Sequence, residues 1–168
     1  MAGVFTSRCR RAPASESRSC GRARRSRSTA SRRSTEVSHR GIVSRRGPQP
    51  TGSYPHAHIQ GTMVWVTAQA GREPRTGELV PGGIEGQLNQ AIDNLAAILD
   101  DCGSSLDRVV RTQIMYTDSA DEELIDAVCA RRFGRPLPVR TAWGVKFLAA
   151  EPGSELVRVQ IDCVAGTA

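Results

Sequence analysis

The side chain in this sequence that is best suited to bind a small anion is an arginine at the start of an extended apolar run. Arg140 stands in the segment Pro-Val-Arg-Thr at residues 138–141, and the apolar run continues to residue 148. A guanidinium carries a permanent positive charge and a planar fork of N–H donors, which fits the two oxygens of a carboxylate. The pattern indicates a carboxylate site. Its alternative is a strand-end arginine that pairs with an acid of its own chain.

The other residue types that often carry chemistry show no spacing typical of a site. The five cysteines are widely and irregularly spaced, with no Cys-x-x-Cys pair and no Cys/His ligand pattern. We therefore expect neither a metal site nor a disulfide framework. His56 and His58 alternate with apolar residues and are expected to face solvent on an edge strand. The chain also lacks a run of roughly eighteen apolar residues, so we expect no membrane-spanning segment.

Positive charge is concentrated in the first third of the chain. Residues 1–50 hold thirteen of the 23 basic residues and two of the 17 acidic ones, whereas residues 51–168 are acidic on balance. A segment rich in arginine and serine, with few large apolar side chains, cannot bury enough surface to offset its ordering entropy. We predict a disordered extension over residues 1–50 and a folded domain over residues 51–168.

Four interpretations of this extension remain open. It is a solvated tail, an organelle transit peptide, an arm that binds nucleic acid through phosphate charge, or untranslated sequence after a start codon assigned too early. The lack of helical periodicity disfavours a transit peptide, and the scarcity of aromatic residues disfavours a dedicated nucleic-acid site. We therefore expect a cytoplasmic protein, with organelle import as the alternative, that binds nucleic acid only through this arm, if at all.

The folded domain must position Arg140 with two helices and a sheet. Apolar residues recur at spacings of three and four over residues 84–102, which predicts an amphipathic helix. A capping box at Ser119 opens a second helix that runs to about Phe133. Strands are predicted at residues 59–67, 109–116, 140–148 and 156–164. This order gives an α+β two-layer sandwich, in which a mixed β-sheet has two helices packed on one face and its other face free to oligomerise.

Four segments of the chain, taken in order, resemble the RidA family of YjgF-like proteins, the reactive intermediate deaminases. Residues 52–54 resemble the family's Gly-Pro-Tyr, residues 66–69 its Ser-Gly-Gln, residues 87–95 its Gln-x-x-x-x-Leu-x-Asn-Leu helix, and residues 138–141 its Pro-Ala-Arg-Ser. The resemblance covers about residues 51–165. It implies a chorismate-mutase-like trimer fold, with ligand clefts between the subunits of a homotrimer. It also implies hydrolysis of 2-imino acids and enamines to 2-keto acids and ammonia, without a metal or an organic cofactor.

The resemblance implies roles for individual residues as well. Arg140 binds the carboxylate of a 2-imino or 2-keto acid, and Tyr54 forms a wall of the pocket. Backbone groups near Ala68 and Thr141 help to position water. Ala68 and Ala142 stand where the family has a glycine and, frequently, a cysteine, so the pocket is expected to be reshaped.

Gln160 is the departure from the family pattern that bears most on catalysis. It occupies the position of a glutamate on the last strand, which in the family holds the attacking water and protonates through it. A glutamine orients water but cannot transfer a proton, and general acid–base catalysis is worth about two to four powers of ten in rate. Asp162 is expected on the same strand face, about 6–7 Å away. Two functions are therefore considered: a deaminase with Arg140 and Gln160 as catalytic residues, or a catalytically weak trimer that binds a small carboxylate.

Overall fold

Residues 38–148 and 157–168 are described by the computed structural model of this chain, and they form a six-stranded sheet with two helices. The strands are β1 (His39–Ile42), β2 (Ala57–Gln60), β3 (Met63–Ala70), β4 (Val109–Tyr116), β5 (Val139–Gly144) and β6 (Val159–Gly166). The helices are α1 (Gly83–Asp101) and α2 (Glu122–Arg132), and short 3-10 helices at Leu106–Arg108 and Ser119–Asp121 precede β4 and α2. The strand order is β1-β2-β3-β6-β4-β5; β4 and β5 are parallel, and the other neighbours are antiparallel. The predicted α+β fold, a mixed sheet with two helices, is confirmed.

The helix α1 supplies most of the core because its apolar residues fall on one face. Leu88, Ile92, Leu95 and Leu99 are fully buried, and α1 packs against β3 and β6. Burial of each such side chain contributes roughly 1.5–3 kcal/mol. Gly103 follows the helix with a φ of 73°, the left-handed conformation that glycine adopts without strain. Within residues 38–148 and 157–168, no helix has the length and apolar composition needed to cross a bilayer.

One face of the sheet is buried beneath the helices, and the other face is left open by the described part of the chain. Alternate residues of β6, beginning at Val159, are buried, whereas Gln160 and Asp162 lie on the opposite face. The alternation predicted for the last strand is therefore confirmed. The open face also carries exposed tryptophans, Trp65 on β3 and Trp143 on β5. Exposed apolar area of this kind is typical of an oligomer interface.

The strand β1 corrects the domain boundary that the sequence predicts at residue 50. β1 lies inside the predicted extension, yet it pairs along its whole length with β2, and Ser44 beyond it is buried. Ladder hydrogen bonds to β2 order this strand in spite of its polar side chains, so the composition of residues 1–50 conceals it. Residues 1–37 lie outside the described part of the chain. Their disorder, targeting role or nucleic-acid binding stays a prediction.

Several element ends also differ from the prediction, and the last strand, predicted over residues 156–164, spans Val159–Gly166. The segment at Ser119 is a 3-10 helix, and its cap is Asp118, whose carboxylate accepts a hydrogen bond from Ala120 N at 2.9 Å. The predicted strand over residues 140–148 ends at Gly144. Gly144 pairs with Tyr116, the last residue of β4, so β5 ends where its partner ends.

Candidate functional site

A cavity of about 380 Å³ adjoins β3, and within the described residues three segments of the chain line it. The first wall consists of residues 48–51 with Tyr54 and His56. The second consists of residues 67–70 with Arg72, and the third of Val157 with Gln160. The volume lies at the lower end of the range for small-molecule sites, roughly 300–1,000 Å³. Three of the predicted site residues, Tyr54, Ala68 and Gln160, thus line one cavity.

A bulge in β3 shapes the second wall. Val66 pairs with Cys163 and Gln69 pairs with Ile161, so Thr67 and Ala68 together face a single residue of β6. A β-bulge of this kind bends its strand and redirects side chains. Here the Gln69 side chain turns inward, where it is buried and its Nε2 donates to the Thr67 carbonyl at 3.1 Å. Ala68 is thereby left along the cavity wall.

The first wall is tied to the core through His56. His56 Nδ1 accepts a hydrogen bond from Ser44 N at 2.9 Å, and Nε2 donates to the Pro48 carbonyl at 2.6 Å. Ser44 Oγ donates to the Asp101 carboxylate at 2.6 Å. This hydrogen bond, with a further contribution from Arg46, holds the pKa of Asp101 below its ordinary value. The expectation that His56 faces solvent is wrong, because both ring nitrogens have partners in the fold and the residue is 2% exposed.

Gln160 reaches the cavity from the centre of the sheet. Its cross-strand neighbours are Ala70 on β3 and Met115 on β4. On the other side of the cavity, Tyr54 is about half exposed, and its hydroxyl lies 3.0 Å from Thr51 Oγ1. An amide and a phenol therefore border the same space, and both can donate and accept hydrogen bonds to a ligand or a water molecule.

Asp162 does not line the cavity. It borders a separate depression on the open face of the sheet, with Trp65 and Arg111. Burial raises the pKa of Asp162, and the charge of Arg111 partly opposes this shift. No Asp or Glu belongs to the described walls of the cavity. Among the described residues, no group of three His, Cys, Asp or Glu side chains is placed to hold a metal ion.

Arg140 does not join this cavity within one chain. In the ladder of β4 and β5 it lies opposite Thr112, which is buried under the helices, whereas Gln160 lies on the open face. Its guanidinium forms an ion pair with Asp126 of α2. A single chain thus shows Arg140 paired with one of its own acids. A cleft shared by Arg140 and Gln160 cannot form within that chain, because the two side chains leave the sheet on opposite faces.

Thr141 and Ala142 stay with β5 and also lie away from the described walls of the cavity. Ala142 lies opposite Ile114, on the same side of the sheet as Arg140, and Thr141 lies opposite Gln113 on the open side. The predicted site residues therefore fall into a cavity group around Gln160 and an edge-strand group around Arg140.

The family model described as Endoribonuclease L-PSP matches residues 44–166, which include all of the described cavity walls and all of β5. This chain belongs to the RidA family. Among its RidA relatives, a RutC family protein of Pyrococcus horikoshii is 32% identical over 124 residues, which are 74% of this chain and 94% of that protein. The 2-iminobutanoate/2-iminopropanoate deaminase of Rattus norvegicus is 30% identical over 125 residues, which are 74% of this chain and 89% of that protein. The crystal structure of RidA from an Antarctic Psychrobacter species has a TM-score of 0.68 and 29% identity, and the match covers 76% of this chain and 98% of that one.

The resemblance to the RidA family predicts Tyr54, Ala68 and Gln160 as site residues but does not predict the other residues that line the cavity. Arg72 and residues 48–51 also line it. Residues 48–50 belong to the segment that the sequence assigns to the extension, with Thr51 immediately after it, and Arg72 lies in a loop marked only by turn residues. Neither position carries a pattern that indicates a site, because only the packing of the loop and the N-terminal segment on β3 brings them to the cavity.

Proposed function

We propose that this RidA-family protein hydrolyses 2-imino acids and their enamine tautomers to 2-keto acids and ammonia. The reaction class is supported by a relative that is 30% identical and is named a 2-iminobutanoate/2-iminopropanoate deaminase. The observation that carries the proposal is the cavity that brings Tyr54, Ala68 and Gln160 together. Tyr54 matches the family motif, and Ala68 and Gln160 stand where the family has a glycine and a glutamate; the three residues border a space large enough for a small acid.

We further propose a homotrimer in which Arg140 of one protomer completes the cavity of the next. One chain places Arg140 and Gln160 on opposite faces of the sheet, so only a second copy can bring Arg140 to the Gln160 cavity. The exposed Trp65 and Trp143 supply apolar area on the open face for such an assembly. Thr141 and Ala142 approach the cavity together with Arg140 in this arrangement.

The proposed reaction needs a bound carboxylate, an oriented water molecule and a proton for the leaving nitrogen. Water adds to the electrophilic C=N carbon, the nitrogen is protonated, and the resulting carbinolamine releases ammonia as the C=O bond forms. Arg140 binds the substrate carboxylate, and the Gln160 amide, with backbone groups near Ala68 and Thr141, orients the water. The imine carbon is already electrophilic, so this route uses neither a metal nor an organic cofactor.

A second candidate function is binding of a small carboxylate without efficient turnover, and the amide at Gln160 favours it. A glutamine cannot supply the proton, and the described cavity walls contain no Asp or Glu. The proton then comes from solvent, and loss of general acid catalysis lowers the rate by about two to four powers of ten. The same cavity would hold a 2-keto acid in either case.

Ammonia release separates the two functions. 2-Iminobutanoate is generated in the assay by an amino-acid oxidase, and its loss is followed with and without the full-length protein. A deaminase accelerates ammonia release over the spontaneous rate, and Arg140→Gln removes that acceleration while light scattering still reports the trimer. Arg131→Gln is the matched control, since Arg131 also forms a surface ion pair, with Glu85, away from the cavity. If the protein does not accelerate ammonia release but binds 2-oxobutanoate measurably, the binding function is supported. If it neither accelerates ammonia release nor binds 2-oxobutanoate, both proposals are contradicted.

A further inference from the structure

The cavity contains a cationic side chain that the proposed reaction does not use. Arg72 is the only Arg or Lys among the described cavity walls. Within residues 38–148 and 157–168 it forms no ion pair, and its guanidinium donates one hydrogen bond, from Nη1 to the Gly77 carbonyl at 2.7 Å. An arginine has five N–H donors, so donors remain for a ligand.

The acid next to Arg72 in the chain is engaged elsewhere. The Glu73 carboxylate accepts hydrogen bonds from Thr76 N at 2.6 Å and from Arg75 N at 2.8 Å. These bonds, that from Thr76 above all, hold the pKa of Glu73 below its ordinary value. Glu73 therefore stabilises the turn of its own loop as a carboxylate and leaves the charge of Arg72 uncompensated.

The backbone at Arg72 is held in place from α1. Asn94 Nδ2 donates to the Arg72 carbonyl at 2.9 Å and to the Ala70 carbonyl at 3.2 Å. Arg72 N donates to the Ala70 carbonyl at 2.8 Å. Ala70 is also the cross-strand neighbour of Gln160. The loop thus keeps the base of the Arg72 side chain at a fixed position relative to the amide that is proposed to orient water.

We propose that Arg72 determines specificity: it binds a second carboxylate of the ligand, so that the cavity prefers dicarboxylic 2-imino and 2-keto acids to monocarboxylic ones. This inference deepens the proposed function and rests on it, because Arg140 of the neighbouring protomer takes the carboxylate beside the imine. Arg140 already shares its charge with Asp126, whereas Arg72 has no acidic partner among the described residues. In a cavity with no described acidic wall, two arginines favour a ligand with two negative charges.

Binding of two 2-keto acids tests this inference. 2-Oxoglutarate, with two carboxylates, and 2-oxobutanoate, with one, are titrated into the full-length protein by calorimetry at one ionic strength. The wild type is expected to bind 2-oxoglutarate about tenfold more tightly or better, the usual effect of one hydrogen bond to a charged group. Arg72→Gln loses this preference and keeps its affinity for 2-oxobutanoate, and Arg72→Lys retains part of the preference. Arg75→Gln, at an exposed position of the same loop that does not line the cavity, changes neither affinity.

Equal affinity of the wild type for the two acids overturns the inference. An Arg72→Gln variant that binds both acids more weakly, and to the same extent, also overturns it, since Arg72 would then hold the loop or the shared carboxylate. Thermal unfolding shows whether each variant is folded; if Arg72→Gln is not, the reduced preference expected of Arg72→Lys becomes the test, and a preference there equal to that of the wild type contradicts the proposal. Ammonia release is measured separately. A protein that prefers 2-oxoglutarate but releases no ammonia supports the role of Arg72 and refutes the deaminase.

Discussion

Replacement of Asp126 by asparagine is expected to tighten the binding of a carboxylate ligand at Arg140. Asp126 forms an ion pair with Arg140, and its side chain is 56% exposed, against 29% for that of Arg140. A substrate carboxylate on the same guanidinium would lie near a second carboxylate of like charge. Asparagine keeps the size of the side chain and one oxygen acceptor, and it removes the repulsion.

The size of this effect follows from Coulomb's law and from the exposure of the pair. Two unit charges 4 Å apart interact by about 1 kcal/mol in water and about 4 kcal/mol at an effective dielectric constant of 20. Asp126 is more than half exposed, and two carboxylates on different edges of one guanidinium lie farther apart than 4 Å, so solvent screening dominates. We therefore expect a gain of about 0.4–1.4 kcal/mol, which is about two- to tenfold in Kd.

Calorimetric titration with 2-oxobutanoate at low and high salt measures this gain. Screening by salt should shrink it, since the Debye length falls as the ionic strength rises. Asp93→Asn is the matched control, because Asp93 forms a similarly exposed ion pair with Arg132. Weaker binding by Asp126→Asn, with Asp93→Asn unchanged, would refute the charge argument and would mean that Asp126 orients Arg140 for the ligand.

Three further outcomes are expected. Gln160→Glu should raise kcat for imine hydrolysis by about two to four powers of ten, because a carboxylic acid can protonate the leaving nitrogen; an unchanged kcat with unchanged ligand affinity contradicts the role of this position. Trp65→Glu should leave a folded monomer of 18.1 kDa by light scattering and circular dichroism, because in one chain Trp65 is 41% exposed on the open face; a persisting trimer places the interface elsewhere. Asp101 has a lowered pKa in the folded protein, so its stabilising effect is present above the ordinary pKa of an aspartate and is lost as the pH falls through the lowered one. The free energies of unfolding of wild type and Asp101→Asn should therefore differ at neutral pH and converge in acid. If urea titrations show a difference that does not change with pH, the Ser44 hydrogen bond is not the cause of the stabilisation.

The elements with a strong hydrophobic period could be predicted from the sequence. The helix α1 repeats its apolar residues at helical spacing over its whole length, and nearly all of them are buried as that spacing requires. In β6 the alternation places Gln160 on the face away from the core, as predicted. Both patterns are local, so no knowledge of neighbouring elements is needed to interpret them.

The parts that could not be predicted depend on partners far away in the chain. The four residues of β1 have no apolar pattern, and pairing with β2 alone makes them a strand. His56 is buried because Ser44 and Pro48 satisfy its ring nitrogens. The faces of β5 depend on its register against β4, and a shift of one residue would move Arg140 to the open side.

The opposite orientation of Arg140 and Gln160 also has a genetic and a physiological consequence. In the proposed trimer each catalytic centre draws on two polypeptides, so the defects of Arg140→Gln and Gln160→Leu reside in different halves of the same centre. Co-expression of these two inactive proteins should yield mixed trimers in which some catalytic centres contain neither substitution. Activity should therefore return by complementation. For the same reason, dilution below the concentration that sustains assembly should silence the protein while every chain remains folded.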